Sequence, residues 1–197
     1  MPERRRIDAI DAATMQRENK MDLSQFFHAA GLAGALISAP IMAAVPPVGV
    51  TDQEALLRSP DPKLAANKRL VFDMWRAIVQ GGHVELAPKY VAEDYIQHSP
   101  NVPSGRAAMV EFMSRTRPVR PIEPVINFPV VSIVAEGDLV VLATVSYGQD
   151  PEDPTRKYAT THFDMFRIAD GKIAEHWDNL PKSSALLHID PNVVNKP

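Results

Sequence analysis

The chain has 197 residues, a formal net charge of −3, 45% hydrophobic residues and no cysteine. This length suits one main domain with an extension, and the hydrophobic fraction is that of a protein with a real core. The mildly acidic balance, with a pI near 6.1, argues against a broad nucleic-acid surface, and the lack of cysteine excludes disulfides, a thiol nucleophile and thiolate metal sites without fixing the compartment.

Residues 1–20 are charged and polar, with Arg4, Arg5 and Arg6 near the start, and are expected to be a disordered extension. Residues 21–47 form an apolar leader. Phe26 to Ala44 is almost free of charge, rich in Ala and Gly, and broken by Pro40. A spanning helix needs about 20 strongly apolar residues, so this piece makes a poor membrane span. It fits the apolar part of an export signal before Pro46 and Pro47. LSQFFHAAGLAGALISAP resembles the leader of twin-arginine-exported proteins, although Gln25 stands where the arginine pair belongs. The resemblance implies export to the periplasm. The alternative is a cytoplasmic protein whose N-terminal helix packs on the domain or a partner.

Residues 48–63 read as a linker and 64–181 as the main domain. Asp61 to Gln80 reads as a helix entered through Pro62, with Leu64, Leu70, Val71, Met74, Trp75 and Ile78 as its apolar stripe. Gly81-Gly82 ends it. A shorter helix spans about Val84 to Val91, and a short strand spans Tyr95 to His98. Pro100 and Pro103 bracket a loop, and Ser104 is expected to cap a third helix, Gly105 to Arg115. Arg115, Arg117 and Arg120 then form a small basic patch, read as a solvated loop. Val125 to Ala135 reads as a strand whose Pro129 suggests an edge or a bulge. Leu139 to Tyr147 is the next strand, and the loop QDPEDPT leads to a hairpin over Tyr158 to Asn179. Residues 182–197 form a tail. The order predicts an α+β fold, with three helices on one side of a strongly curved antiparallel sheet and a cone open at one mouth.

The hairpin carries the chemistry. His162 and Asp164 share a face of its first strand, and His176 and Asp178 share a face of its second, because side chains alternate with a period of two. Whether the pairs meet depends on the turn. A two-residue turn, Asp170-Gly171, sets Ala169 opposite Lys172 and Asp164 opposite Trp177, with the two pairs on opposite faces. A three-residue loop, Ala169-Asp170-Gly171, sets Ile168 opposite Lys172 and Asp164 opposite His176. All four polar side chains then converge, and Phe163, Met165, Ile173 and Trp177 take the other face. The expectation is the second register. A one-residue slip would reverse it.

Three pieces carry a family likeness: NKRLVFDMWRAIVQGG, YIQHSPNVPSGR and HFDMFRIADGKIAEHWD. Through them, residues 64–181 resemble the SnoaL-like polyketide cyclases, which have the nuclear transport factor two-like fold. The resemblance implies a cone-shaped pocket, chemistry without cofactor or metal, and ring closure by an intramolecular aldol reaction. It also implies that Asp178, after Trp177, is the acid/base. Asp164 corresponds to the pocket residue of the preceding strand, and His98 to the histidine of the short strand.

Such a reaction needs a base for a carbon acid and a donor for the resulting enolate oxygen. The expected catalytic residues are Asp178, Asp164 and His162. The expected substrate contacts are His98, His176, Tyr95, Trp75 and Phe166, with core filling the alternative for Tyr95 and Trp75. Trp177, Phe163 and Met165 are expected on the outer face or at a dimer contact. His98, His162, Asp164, His176 and Asp178 are types that also bind zinc or iron, but no HExxH motif is present. GxSxG, GxGxxG and P-loop motifs are absent too. The expected partners are a small apolar carbonyl-containing substrate or ligand and a second copy of the chain, with no nucleic acid. The alternative function is a module of the same fold that binds a ligand or dimerises without chemistry.

Overall fold

A computed structural model describes residues 45–182. The expected extension, all of the expected leader but residues 45–47, and all of the expected tail but Lys182 lie outside the described residues. No described helix is long and apolar enough to cross a membrane.

The segment read as a linker docks on the domain. Helix α1 (Gln53–Leu56) places Gln53 so that its side-chain amide bonds Ile126 twice, donating to its carbonyl at 2.8 Å and accepting from its N–H at 2.9 Å. The amide thereby satisfies both backbone groups of Ile126, a buried residue ahead of the sheet. Helix α2 (Pro62–Met74) starts where its residues require. Asp61 Oδ1 accepts from the Lys63 N–H at 2.7 Å, and Pro62 occupies a first-turn position that needs no hydrogen. The helix widens into a π-helical segment, Trp75–Gln80. At Gly82, with φ of 71°, a Cβ would lie 2.7 Å from the Arg117 and Pro118 carbonyl oxygens. The loop after the third expected helix therefore closes tightly on the end of the first.

A 3-10 turn (Val84–Leu86) and α3 (Ala87–Tyr90) lead into β1 (Val91–Gln97). Helix α4 (Arg106–Thr116) follows. Ser104 does not cap it. Gly105 holds that position, and Ser104 Oγ accepts from the Gln97 N–H at 3.0 Å. The loop thus ties to β1 rather than to the helix. Strands β2 (Val130–Glu136), β3 (Leu139–Gln149), β4 (Lys157–Ala169) and β5 (Lys172–Asp178) form an antiparallel run. Strand β1 adds to β5 in parallel, giving the order β1-β5-β4-β3-β2. As Pro129 suggested, β2 is an edge strand with an irregular ladder at its start. Phe72, Ile78, Val91, Leu142 and Ile173 are fully buried in the core between helices and sheet. Each such side chain contributes about 1.5–3 kcal/mol.

The hairpin departs from the expected register at its turn. Asp170 and Gly171 have φ of 50° and 69°, and Ala169 pairs with Lys172. This is the two-residue turn, whose two positive φ values match the strand twist. The three-residue loop does not form. One residue later the ladder slips: Ile168 pairs with Ile173, but Arg167 pairs with Glu175. Ala174 is the extra residue of a β-bulge. It restores the parity that the short turn would have reversed, so Asp164 pairs with Asp178 and Phe166 with His176. The expected convergence is present, with different partners. Ile173 joins this face and is buried, rather than sharing the outer face with Trp177.

Candidate active site

Strands β1, β4 and β5, α4 and the π-helical end of α2 enclose a cavity of about 430 Å³. Trp75, Val79, Met109, Phe112, Phe128 and Phe166 contribute apolar walls. Tyr95, Gln97, His162, Asp164, His176 and Asp178 contribute the polar side. Strand alternation explains most of this list. Residues 162, 164 and 166 are two apart on β4, residues 95 and 97 two apart on β1, and residues 176 and 178 two apart on β5.

Asp164 is the centre of the polar side, at 4% exposure. His176 Nε2 lies 2.9 Å from its Oδ1, and His162 Nε2 lies 3.3 Å from its Oδ2. The first is a hydrogen bond. The second is a charge contact without hydrogen-bond alignment, since Oδ2 has no hydrogen-bond partner. Burial alone would raise the Asp164 pKa, but the two imidazoles outweigh it and hold the carboxyl below its usual range. Burial likewise works to lower the His162 pKa, and the carboxylates of Asp164 and Asp178 together with Asn179 outweigh it and raise it. Burial, then the nearby Asp164 and Asp178, push the Tyr95 hydroxyl far above the ordinary phenol range. Tyr95 is therefore a neutral phenol at any ordinary pH.

His176 is held from three sides. Asp164 and Gln97 take its two nitrogens, at 2.9 and 3.0 Å, and its ring stacks on Phe166 with centroids 4.8 Å apart. Asp178 lines the cavity, and its Oδ1 accepts from the Leu180 N–H at 3.0 Å. Trp75 also lines the cavity, edge-on to Phe128 and Phe166, with its indole N–H buried and without a partner.

His98 does not join them. It follows Gln97 and so points to the opposite face, where its ring stacks on Trp177 at 4.5 Å and its Nε2 lies 2.9 Å from Glu175 Oε2. The cavity thus receives seven of the eight expected site residues. Arg117 is not part of a solvated patch either: it lines the cavity, with its guanidinium 5.9 Å from the Phe112 ring centroid. Among the described residues, no group of three or more His, Cys, Asp or Glu side chains is placed to hold a metal ion.

Sequence reasoning missed Gln97, Asn179 and the apolar wall from α4. Gln97 had a signal, its two-residue spacing from Tyr95. Met109, Phe112 and Met113 had one in their helical spacing of three and four residues. The site as a whole offers two carboxylates, two imidazoles and a phenol beside an apolar space, a set able to take and return protons on a small organic ligand.

The family model for the SnoaL-like polyketide cyclase matches residues 69–187. No curated protein matches the chain. Among solved structures, TsrD from Streptomyces laurentii is 23% identical, with a TM-score of 0.41 over 61% of this chain and 90% of that one. A structure from a Jannaschia species, described as a SnoaL-like polyketide cyclase, is 20% identical, with a TM-score of 0.42 over 71% and 99%. An epoxide hydrolase of the LEH-like type from M. tuberculosis is 15% identical, with a TM-score of 0.41 over 59% and 84%.

Proposed function

The chain belongs to the SnoaL-like polyketide cyclase family, and we propose on that premise that it is a small enzyme performing acid/base chemistry at a carbon next to a carbonyl. The reaction class is aldol-type cyclisation, isomerisation or a related lyase step. The substrate is a small, largely apolar carbonyl compound. One observation carries the proposal: a buried carboxylate held low between two imidazoles, with a second carboxylate opposite it, on one wall of an apolar cavity.

In the aldol case, Asp178 takes the proton from the carbon, and the enolate oxygen accepts a hydrogen bond from protonated His162. The enolate carbon then attacks a second carbonyl carbon of the same molecule. A C–C bond forms, and the new alkoxide takes a proton from His162, which regains it from Asp178. No atom is lost, as an intramolecular aldol requires. Asp164, which lines the cavity at 4% exposure, holds both imidazoles in position. His176, Tyr95, Trp75 and Phe166 shape the space around the ligand.

The test uses 1,3-diketones of graded size as probes and follows exchange of their acidic hydrogens in D₂O by NMR. Asp178→Asn is expected to slow the catalysed exchange by roughly 10²–10⁴-fold with an unchanged circular dichroism spectrum. Equal exchange in that folded variant would remove Asp178 as the base. Binding without exchange in the wild type would favour the ligand-binding module instead.

We also propose a homodimer through the outer sheet face, which exposes Phe163, Ile96 and Val134. Trp177 contributes less to this face than expected, because His98 covers its ring. Export through residues 21–47 is likewise proposed from the leader sequence alone. The N-terminal sequence of protein recovered from a periplasmic fraction tests it.

A further inference from the structure

One polar side chain in the cavity wall has no part in the chemistry above. Gln97 ends β1 and pairs with His176 of β5. Its Oε1 accepts from the Ser99 N–H at 3.0 Å, its Nε2 donates to Tyr95 Oη at 3.0 Å, and His176 Nδ1 lies 3.0 Å from the same Oε1. A backbone N–H can only donate, so Ser99 decides which end of the amide is oxygen. The flipped amide would set its NH₂ group against the Ser99 N–H. An amide oxygen can only accept, so His176 Nδ1 must carry a hydrogen. His176 Nε2 then faces Asp164 Oδ1 at 2.9 Å. That contact holds while one proton lies between them, on the imidazole or on the carboxyl. On the other side, Tyr95 Oη accepts from the Gln97 amide. The hydroxyl hydrogen therefore points away from Gln97, and no described residue accepts it.

We infer that Gln97 is a positioning residue that orders the protons of this site, holding His176 with its hydrogen on Nδ1 and turning the Tyr95 hydroxyl hydrogen to the cavity as the donor for an anionic oxygen of the ligand. The ligand half of this inference rests on the acid/base reading, because an enolisable carbonyl compound is what acquires such an oxygen. The ordering of the protons does not rest on it. Tyr95 keeps its hydrogen at working pH, since its ionisation is pushed far upward. A phenol without a protein acceptor, beside an apolar space, stabilises developing negative charge at little cost in reorganisation.

The test uses the full chain labelled with ¹⁵N-histidine. In the wild type, His176 is expected to show a protonated Nδ1 throughout the pH range in which the fold persists. In Gln97→Met, which has similar length but no hydrogen bonds, that signature is expected to give way to a mixture of tautomers. A bare Nδ1 in the wild type, which needs no variant to observe, would overturn the ordering.

The ligand half is read with 4-nitrophenolate as the probe, by its absorbance change on binding. Tyr95→Phe is expected to weaken binding about tenfold or more. Gln97→Glu is expected to do the same, because a carboxylate there accepts the Tyr95 hydrogen and withdraws it from the cavity. The double variant is expected to bind no more weakly than either single one. Absence of binding by the wild type, an unchanged affinity in Tyr95→Phe, or losses that multiply would each overturn the assignment of Tyr95. None of these readouts depends on turnover, so a failure of Asp178 as base stays distinguishable from a failure of Gln97.

Discussion

Asp164 and Asp178 stand directly opposite one another in the β4–β5 ladder. Two carboxylates so placed repel, and such a pair normally destabilises a sheet. Here His162 and His176 lie against Asp164, at 3.3 and 2.9 Å, and offset the repulsion. The arrangement stores its acids and bases as a mutually dependent set, and each member can be tested through the others.

The first test is Asp164→Asn, which keeps the shape and removes the charge. Burial would then act on His162 with only Asp178 and Asn179 to oppose it, so the His162 pKa is expected to fall toward or below its ordinary 6.5. The fold is expected to lose roughly 1–3 kcal/mol in urea denaturation, from hydrogen bonds left incomplete in a buried place. An unchanged His162 titration, followed by NMR, would show that Asp164 is not what raises it.

The pH dependence of stability follows from the same two groups. The Asp164 pKa is depressed, so its contribution is full above the unfolded value of about 3.8 and is lost as pH falls through the lower folded value. The His162 pKa is raised, so its contribution is full below 6.5 and is lost as pH rises through the higher folded value. The two overlap between about pH 4 and 6.5, and the midpoint of urea unfolding is expected to decline on both sides of that window. In His162→Gln the alkaline decline is expected to shrink. A decline of the same size in that variant would assign it to other groups.

The bulge at Ala174 predicts a tolerated deletion. Ala174 has no partner in the ladder, so its removal lets the two-residue turn run into a regular ladder with the same pairs, Arg167 opposite Glu175, Phe166 opposite His176 and Asp164 opposite Asp178. Deletion of Ala174 is therefore expected to retain probe binding and the contact between His176 and Asp164, as is Ala174→Ser. Loss of that contact in a folded deletion variant, seen as a missing nuclear Overhauser effect, would mean that Ala174 is not the extra residue of the ladder.

The outer face makes a separate prediction. Phe163 is 49% exposed on it. If two copies associate there, Phe163→Glu is expected to convert a dimer to a monomer in sedimentation, without altering the unfolding free energy of the isolated domain, read from urea denaturation, by more than about 0.5 kcal/mol. A wild type that sediments as a monomer would rule out the association.

The amino-acid sequence by itself determined everything that depends on the spacing of residues within one element. His162 with Asp164, and His176 with Asp178, share faces because any strand alternates. Asp61 and Pro62 start a helix because of what their own groups lack or offer. Asp170-Gly171 turns the chain because both positions tolerate positive φ. Tertiary structure alone decided how one element meets the next. Nothing in Ala174 marks it as a bulge: the residue is displaced because β5 must pair with β4 on one side and, in parallel, with β1 on the other. The same pairing sends His98 outward to Trp177 and brings Gln97 inward to His176, a choice between neighbouring residues that rests on the phase of β1 relative to a strand about eighty residues away. Periodicity has no phase until a partner strand supplies one, and that is why the chemistry of the hairpin was legible in the chain while the route by which it converges was not.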